Sequence, residues 1–152
     1  MKKLSLLVIV MGSMVVTGCG KSIEVSGMPG GEQIPQKIEQ ADALMTAVEP
    51  TITISDEDCT EGSCRVSAIF TNQGGKVAND ISYAFSVDSD AINGAMSSTY
   101  ADTVETAQTT KVTYTLYYSG TLPNGKLGSV IMNYAKNAAG EREKVSVEVF
   151  KQ

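Results

Sequence analysis

Alternation of apolar and polar residues with a period of two constrains the fold of this chain more than any other feature. After Pro50 the pattern recurs six times, with apolar side chains on one face of each segment and Thr, Ser, Lys or Glu on the other. One buried and one solvated face per strand is typical of antiparallel sheets that pack face to face. The segments are TITIS (51–55), RVSAIFT (65–71), ISYAFSV (81–87), KVTYTLYY (111–118), SVIMNY (129–134) and KVSVEVF (144–150).

Turn-forming residues separate these segments at 72–80 (NQGGKVAND), 122–125 (LPNG) and 137–140 (NAAG). Small residues dominate 89–108, where we expect one short edge strand near 97–100. Seven strands over about 100 residues predict an all-β domain, an immunoglobulin-like antiparallel β-sandwich spanning residues 50–152. A partly open barrel is the alternative that the irregular strand spacing leaves open.

The residues before the sandwich follow other patterns. Pro35 suits the first position of a helix, and Pro50 suits its end. Apolar residues between them fall at helical spacing, at Ile38, Ala41, Leu44, Met45 and Val48. We therefore predict a short amphipathic helix over 35–49, with an edge strand or a loop as the alternative. Gly and Pro residues make 19–34 a predicted flexible tether.

The N-terminus has the composition of a secretory signal. Lys2 and Lys3 precede an apolar run from Leu4 to Val16, followed by small residues. That run is shorter than the roughly 20 residues that a membrane-spanning helix needs. Residues 16–19, VTGC, then resemble the lipobox of bacterial lipoproteins. The resemblance implies that residues 1–18 are a cleaved signal peptide and that Cys19 carries the lipid that holds the chain on a membrane.

Location and charge narrow the expected partners. In enteric lipoproteins an Asp after the lipidated Cys implies inner-membrane retention, so Gly20 favours the outer membrane if the cell is Gram-negative. Retention through Lys21 and Ser22, as in other lineages, and a Gram-positive host are the alternatives. Loss of Lys2 and Lys3 would leave 10 basic against 17 acidic residues, a net charge of −7. An acidic chain without a basic run is not expected to bind nucleic acid. The expected partners are the membrane, through the lipid, and an envelope protein.

A second resemblance falls inside the sandwich. Residues 69–87, IFTNQGGKVANDISYAFSV, resemble the N-x-G-x-x-x-A turn that joins the second and third strands of bacterial immunoglobulin-like modules, such as CARDB and fibronectin III-like domains. The resemblance implies that Asn72 and Gly74 shape the turn and that Ala78 re-enters the core. Such modules mostly bind, space or adhere.

Cys59 and Cys64 flank TEGS, which reads as a tight turn between two strands. Facing antiparallel residues bring Cα atoms within about 4.5–5.5 Å, which suits a disulfide in an oxidising compartment. Redox pairs have two residues between the cysteines, and no histidine is present to complete a metal site. With Cys19 acylated, the remaining two cysteines are predicted to form a disulfide.

The absence of histidine excludes Ser-His-Asp and Cys-His catalysis and imidazole metal sites in this chain. No nucleophile–base pair or other catalytic motif is visible, so we predict a non-enzymatic chain without cofactor or metal. Acidic residues at 56–61 and 88–93 leave a weak calcium site as an alternative, although Ile92 breaks the EF-hand register of the second group.

Two tyrosines form the candidate binding surface. Tyr117 points away from the apolar face of its strand, and Tyr100 lies in the weakly patterned region. Exposed tyrosine is enriched at binding surfaces, although lone surface aromatics are common. We therefore expect an envelope lipoprotein whose sandwich makes protein–protein contact as an accessory subunit, adhesion factor or exclusion factor. A glycan or small-molecule binding module and a passive structural envelope lipoprotein are the alternatives.

Overall fold

The structure is a computed structural model that describes residues 39–98 and 101–152. The predicted signal peptide (1–18), the tether (19–34), Cys19 and Tyr100 therefore lie outside the described residues. Within the described ranges the strands are β1 Met45–Ala47, β2 Thr51–Ile54, β3 Cys59–Thr60, β4 Ser63–Asn72, β5 Asn79–Val87, β6 Ile92–Ser97, β7 Thr109–Tyr118, β8 Gly125–Ala135 and β9 Arg142–Lys151, with a 3₁₀ helix at Asp56–Asp58.

The strands form two sheets. The first has the order β1-β4-β7-β6, with β3 also paired to β4, and the second has the order β2-β9-β8-β5. The first order matches strands A-B-E-D of a constant-type immunoglobulin domain, and β5, β8 and β9 match strands C, F and G. The predicted immunoglobulin-like β-sandwich is therefore confirmed.

One pairing departs from the wholly antiparallel arrangement that the alternation predicts. Strand β2 runs parallel to β9, with Ile52 opposite Val149. The chain changes sheets at Pro50, which has no N–H to donate to the ladder of the first sheet. Its carbonyl instead accepts the N–H of Glu148 in β9, at 3.1 Å. The alternation identified β2 as a strand but holds no information on the direction of its neighbour.

The prediction of a helix over 35–49 is wrong for the described part, 39–49. No helix forms there, and β1 pairs antiparallel with the end of β4 instead. Ala43 and Met45 are buried while Leu44 and Val48 are exposed, which is the alternation of a strand. The apolar residues fit both periods, and the open edge of β4 supplies the hydrogen bonds that decide between them.

The edge strand predicted near 97–100 lies earlier in the chain than expected. Strand β6 spans Ile92–Ser97 and pairs antiparallel with β7, with an irregularity between Ile92 and Gly94. Because small residues lie on both faces of β6, its sequence shows little alternation between apolar and polar residues. Its register was therefore weakly specified by the sequence.

The inward faces of the predicted strands form the core between the sheets. Tyr83 and Tyr114 of opposite sheets lie against Phe70 and Phe85, with ring centroids 6.4 Å apart for Phe70–Tyr83 and 5.7 Å apart for Phe85–Tyr114. Burial raises the pKa of both tyrosines above its usual range. Among the described residues, the apolar side chains with no exposed surface are Phe70, Ala78, Val112, Leu116, Leu127, Val130, Met132, Tyr134, Val147 and Val149.

Tyr134 links the two sheets through its hydroxyl group. The hydroxyl donates to the Glu143 carboxylate of β9 at 2.8 Å and accepts the N–H of Met45 in β1 at 3.1 Å. Burial, followed by the neighbouring Glu143, raises the pKa of Tyr134. The neutral phenol therefore fixes β1 above the second sheet at every physiological pH.

Asn72, at the end of β4, is fully buried and uses all four hydrogen-bonding positions of its side-chain amide. Its Nδ2 donates to the carbonyls of Lys76 at 2.8 Å and Val104 at 3.0 Å. Its Oδ1 accepts the N–H groups of Gly74 at 3.0 Å and Leu44 at 3.2 Å. One side chain thus joins the turn after β4, the segment leading into β1 and the segment that precedes β7.

Neighbouring residues fit closely around this amide. A Cβ on Gly74 would collide with backbone atoms of Asp42 and Leu44, so only glycine fits there. Ala78 is fully buried and bridges to Val104. The Lys76 ammonium donates to the Asp42 carboxylate at 2.9 Å and, with a weaker contribution from Asn137, lowers the pKa of that carboxyl. Gly74 and Ala78 thus occupy the turn and core positions expected of them.

Replacing Asn72 with alanine should lower the free energy of unfolding by about 3–5 kcal/mol, because four partner groups lose their hydrogen bonds. Urea unfolding followed by circular dichroism measures the change. The control is Asn93→Ala, which removes an exposed bond to the Ser119 hydroxyl and should cost no more than about 0.5 kcal/mol. A loss below about 1 kcal/mol in Asn72→Ala would contradict the role assigned to Asn72.

Candidate functional site

The outward surface of the first sheet, here called the outer face, holds the candidate site. The pairing register places its side chains in rows across β4, β7 and β6. The Ser67 and Thr113 hydroxyls, at the middle of the face, hydrogen bond at 2.9 Å. The rows are Ser63–Tyr117–Gly94, Arg65–Thr115–Met96, Ser67–Thr113 and Ile69–Lys111.

Exposed large hydrophobic side chains are concentrated on the outer face. Of the six in the described residues, only Val87 belongs to a strand of the second sheet. The other five project from β4, β6, β7 and the two ends of β1, on the side opposite the core. They are Leu44 (48% exposed), Val48 (55%), Ile69 (42%), Met96 (62%) and Tyr117 (44%). Single exposed hydrophobic residues are ordinary, but five on the same side of one sheet make this face the candidate for a contact surface.

A small apolar cavity, here called the apolar notch, opens where the chain passes from β1 to β2. Val48, Ile52 and Ile69 supply its apolar walls, and Glu49 and Ser67 complete the lining. Its volume is about 80 Å³. That is the space of two or three water molecules, enough for one aliphatic side chain.

A larger polar groove, here called the tyrosine groove, lies at the opposite end of the outer face. Its volume of about 680 Å³ is within the range of small-molecule sites. Tyr117 is the one lining residue with an aromatic ring, and the others are polar or charged. The lining consists of Glu57, Asp58, Thr60, Ser63, Arg65, Thr115 and Tyr117.

The 3₁₀ helix Asp56–Asp58 supplies one wall of the tyrosine groove. Ser55 caps this helix: its hydroxyl accepts the Glu57 N–H, while the Asp58 carboxylate accepts the Ser55 N–H at 2.8 Å. This reciprocal capping satisfies donors that a short helix would otherwise leave unpaired. Glu57 and Asp58 line the groove together with Thr60.

The disulfide predicted between Cys59 and Cys64 is confirmed, and Cys59 directly follows the 3₁₀ helix. The two residues face each other across the β3–β4 hairpin, with Cα atoms 4.0 Å apart. The Thr60 and Ser63 hydroxyls, which line the groove, hydrogen bond at 3.0 Å in the next pair. The disulfide therefore clamps the hairpin that carries the groove wall.

Tyr117 lies exposed on the outer face, with its side chain directed away from the core as the alternation predicts. Its partner on β6 is Gly94, where an added Cβ would meet no atom within 4 Å. One flank of the Tyr117 ring is therefore open. The binding role of Tyr117 stays a prediction, and Tyr100 lies outside the described residues.

Two of the acidic residues considered for calcium, Asp56 and Asp88, form ion pairs with lysines. Asp56 pairs with Lys151 at 2.8 Å, and Asp88 pairs with Lys126 at 3.3 Å. Within residues 39–98 and 101–152, no group of three potential ligand side chains could hold a metal ion. Those same ranges include no helix that is long and apolar enough to cross a membrane.

Sequence reasoning missed the apolar notch, although one signal for it was present. In RVSAIFT the outward positions are Arg65, Ser67, Ile69 and Thr71, so Ile69 is an apolar residue on the polar face. The contributions of Val48 and Ile52 to the notch could not be predicted. With a helix expected over 35–49, nothing indicated that the chain crosses from one sheet to the other between these two residues.

No protein-family model and no curated protein matches the chain. Among solved structures it is similar to the Vibrio cholerae VesB protease, with a TM-score of 0.51 and 10% identity over 72% of this chain and 31% of that one. A match to the secreted serine protease VesC from Vibrio cholerae has a TM-score of 0.45 and 11% identity, over 70% of this chain and 23% of that one. The chain thus spans less than a third of either protease, and the likeness to VesB shows the fold alone.

Removing the disulfide should weaken the hairpin that carries the groove wall. The double variant Cys59→Ala/Cys64→Ala should lose about 2 kcal/mol of unfolding free energy, because the short closed loop no longer restricts the unfolded chain. Urea unfolding measures the loss, and reduction of the unmodified chain should reproduce it. An unchanged midpoint in both experiments would contradict a stabilising role for this disulfide.

Proposed function

We propose that this chain is a lipid-anchored protein of the bacterial envelope whose outer face makes a protein–protein contact. The observation that carries the proposal is the placement of five exposed large hydrophobic side chains on that face. Exposed large hydrophobic side chains interspersed with polar and charged ones are a common composition of a recognition surface. Tyrosine and arginine, both present here as Tyr117 and Arg65, are enriched among the residues that dominate binding energy.

Charge supports the same face. Most lysines and arginines in the described residues take part in ion pairs, for example Lys126 with Glu148 at 2.9 Å. Arg65 and Lys111 project from the outer face and Lys144 from the second sheet, and no described carboxylate lies within ion-pair distance of any of the three. Two cations without such partners on an acidic protein give the surface a means of selecting and orienting a partner.

The lipid anchor is part of the proposal because of the residues that precede the sandwich. The signal-like N-terminus and the VTGC motif support acylation at Cys19. A mature chain with a net charge of −7 gains no attraction from anionic headgroups, so the lipid supplies the attachment.

Photo-cross-linking in living cells tests the contact. Lys111 and Lys144 are exposed lysines on strands of opposite sheets, so they form a matched pair for a photoreactive amino acid. We expect a discrete cross-linked protein at position 111 and none at 144, because only the first faces outward from the first sheet.

The variant Ile69→Asp should reduce the yield at position 111 at least about tenfold, since it places a charge among the apolar contacts. Its melting temperature serves as the folding control, because Ile69 is already 42% exposed. Equal cross-linking at both lysines, or none at either, would contradict the proposed contact.

Fractionation tests the anchor. The variant Cys19→Ala should remain unprocessed and incorporate no radiolabelled palmitate, whereas Cys59→Ala should incorporate as much as the unmodified chain. Label in Cys19→Ala, or its normal processing and membrane retention, would contradict lipidation at this cysteine.

Glycan binding is a second candidate function, favoured by the composition of the tyrosine groove. A sugar ring has one apolar face and a polar rim, which matches one aromatic ring among hydroxyls, carboxylates and a guanidinium. An apolar ligand would instead need a mostly hydrophobic lining. The open flank at Gly94 gives a flat ligand access to the Tyr117 ring.

A panel of neutral hexose and N-acetylhexosamine oligosaccharides, titrated by NMR, tests this function. Binding should weaken at least about tenfold in Tyr117→Ala, which removes the aromatic ring, and in Gly94→Val, which covers it. Binding should persist in Tyr117→Phe, which keeps the ring. Shifts that avoid Tyr117, or binding that is equal in all three variants, would exclude the groove as the site.

A further inference from the structure

Strand β4 has a gap in its pairing on the side away from β7. Strand β3 covers Ser63 and Cys64 at one end of this edge, and β1 covers 70–72 at the other. The Val48 N–H extends the β1 pairing by one residue, donating to the Ile69 carbonyl at 2.9 Å. Among the described residues, no strand pairs with 65–68 on this side.

Backbone groups of β4 point into this gap. The backbone groups of even-numbered β4 residues point toward β7: the Asn72 N–H, for example, donates to the Gln108 carbonyl at 3.0 Å, just before β7 begins. Those of odd-numbered residues point the other way, as the Ile69 carbonyl does toward β1. Alternation along an antiparallel strand therefore turns the N–H and C=O groups of Arg65 and Ser67 toward the gap. Both residues are exposed, and no hydrogen bond from the described residues reaches these groups from that side.

The gap adjoins the apolar notch. Ser67 contributes backbone groups to the gap and also lines the notch, next to Ile69 and Val48. An extended segment beside Ser67 would thus have a pocket for one aliphatic side chain within reach. Backbone pairing combined with a pocket for a single side chain is how strand addition at a sheet edge achieves both affinity and specificity.

Acidic side chains stand at both ends of the gap. Glu49 lines the notch at the β1 end, and Glu57 and Asp58 lie on the 3₁₀ helix that leads into β3. No described lysine or arginine is within ion-pair distance of Glu49 or Glu57. The segment that complements this edge therefore carries an aliphatic residue flanked by basic ones.

We propose that the β4 gap accepts an extended segment of a partner protein by strand addition, with an aliphatic side chain in the apolar notch and basic residues toward Glu49 and the 3₁₀ helix. Four uncovered residues span about 13 Å, so the segment is three to five residues long. This inference rests on the proposed protein-contact function and specifies its chemistry.

The probe is the peptide acetyl-Lys-Thr-Val-Thr-Lys-amide, titrated into the full ¹⁵N-labelled chain. The expected result is saturable binding with a Kd of about 1 mM or tighter, with the largest shifts and slowed amide exchange at Arg65 and Ser67. A peptide with N-methylated backbone amides keeps the side chains but cannot pair, so it should bind at least about tenfold more weakly. Glutamate in place of the probe's lysines should have the same effect.

Ser67→Pro is the matched change in the protein, because the N–H that it removes makes no internal hydrogen bond. Ser97→Pro is its control, on β6 at the opposite edge of the same sheet, where the Ser97 N–H also points away from β7. We expect the peptide to lose binding to the first variant and to keep it with the second. If Ser67→Pro does not fold, the N-methylated peptide alone decides.

No shift at Arg65 and Ser67 at millimolar peptide, or equal binding by the N-methylated peptide, would overturn strand addition. Failure here and failure of the proposed function are distinguishable. If position 111 cross-links to a protein but the peptide does not pair with β4, strand addition is refuted and the contact is made by side chains of the outer face. If the peptide pairs with β4 but no protein is cross-linked in cells, the proposed cellular contact is refuted.

Discussion

The four hydrogen bonds of the Asn72 side chain are the interaction on which the rest of the structure depends. They hold the turn after β4, the segment before β7 and the chain leading into β1 to one buried point. Because β1 is only three residues long, its own pairing could not fix its position. Asn72, through the Leu44 N–H, and the Tyr134 hydroxyl, through the Met45 N–H, supply that constraint at the start of β1.

The second constraint is the sheet change at Pro50. The chain leaves the first sheet after pairing with only the last residues of β4 and joins β9 in parallel, and it returns to β4 at the disulfide-clamped hairpin. The apolar notch and the gap at 65–68 both lie between its departure and its return. Natural proteins normally protect the exposed edge of a sheet by making it short, placing charges on it or covering it. Here it is short and bordered by carboxylates, which limits what can pair with it.

The sequence predicted the sandwich, six of its strands and the disulfide, because alternation and cysteine placement are local properties of the chain. It favoured a helix where β1 forms and gave an edge strand as the alternative, because the apolar residues at 44–48 do not decide between the two and the distant partner strand does. Exposure of Tyr117 followed from alternation, but the tyrosine groove required the 3₁₀ wall opposite it. The notch required Ile52 of one sheet beside Ile69 of the other, a juxtaposition that no local pattern records.

Amide hydrogen exchange of the chain in intact envelope, compared with the same chain in detergent, tests the central claim most directly. If the open edge of β4 is where a partner binds, slowed exchange in the envelope will be confined to peptides from 44–49 and 63–72, with β5, β8 and β9 unchanged. Identical exchange in both states, or protection centred on the second sheet, would contradict the account.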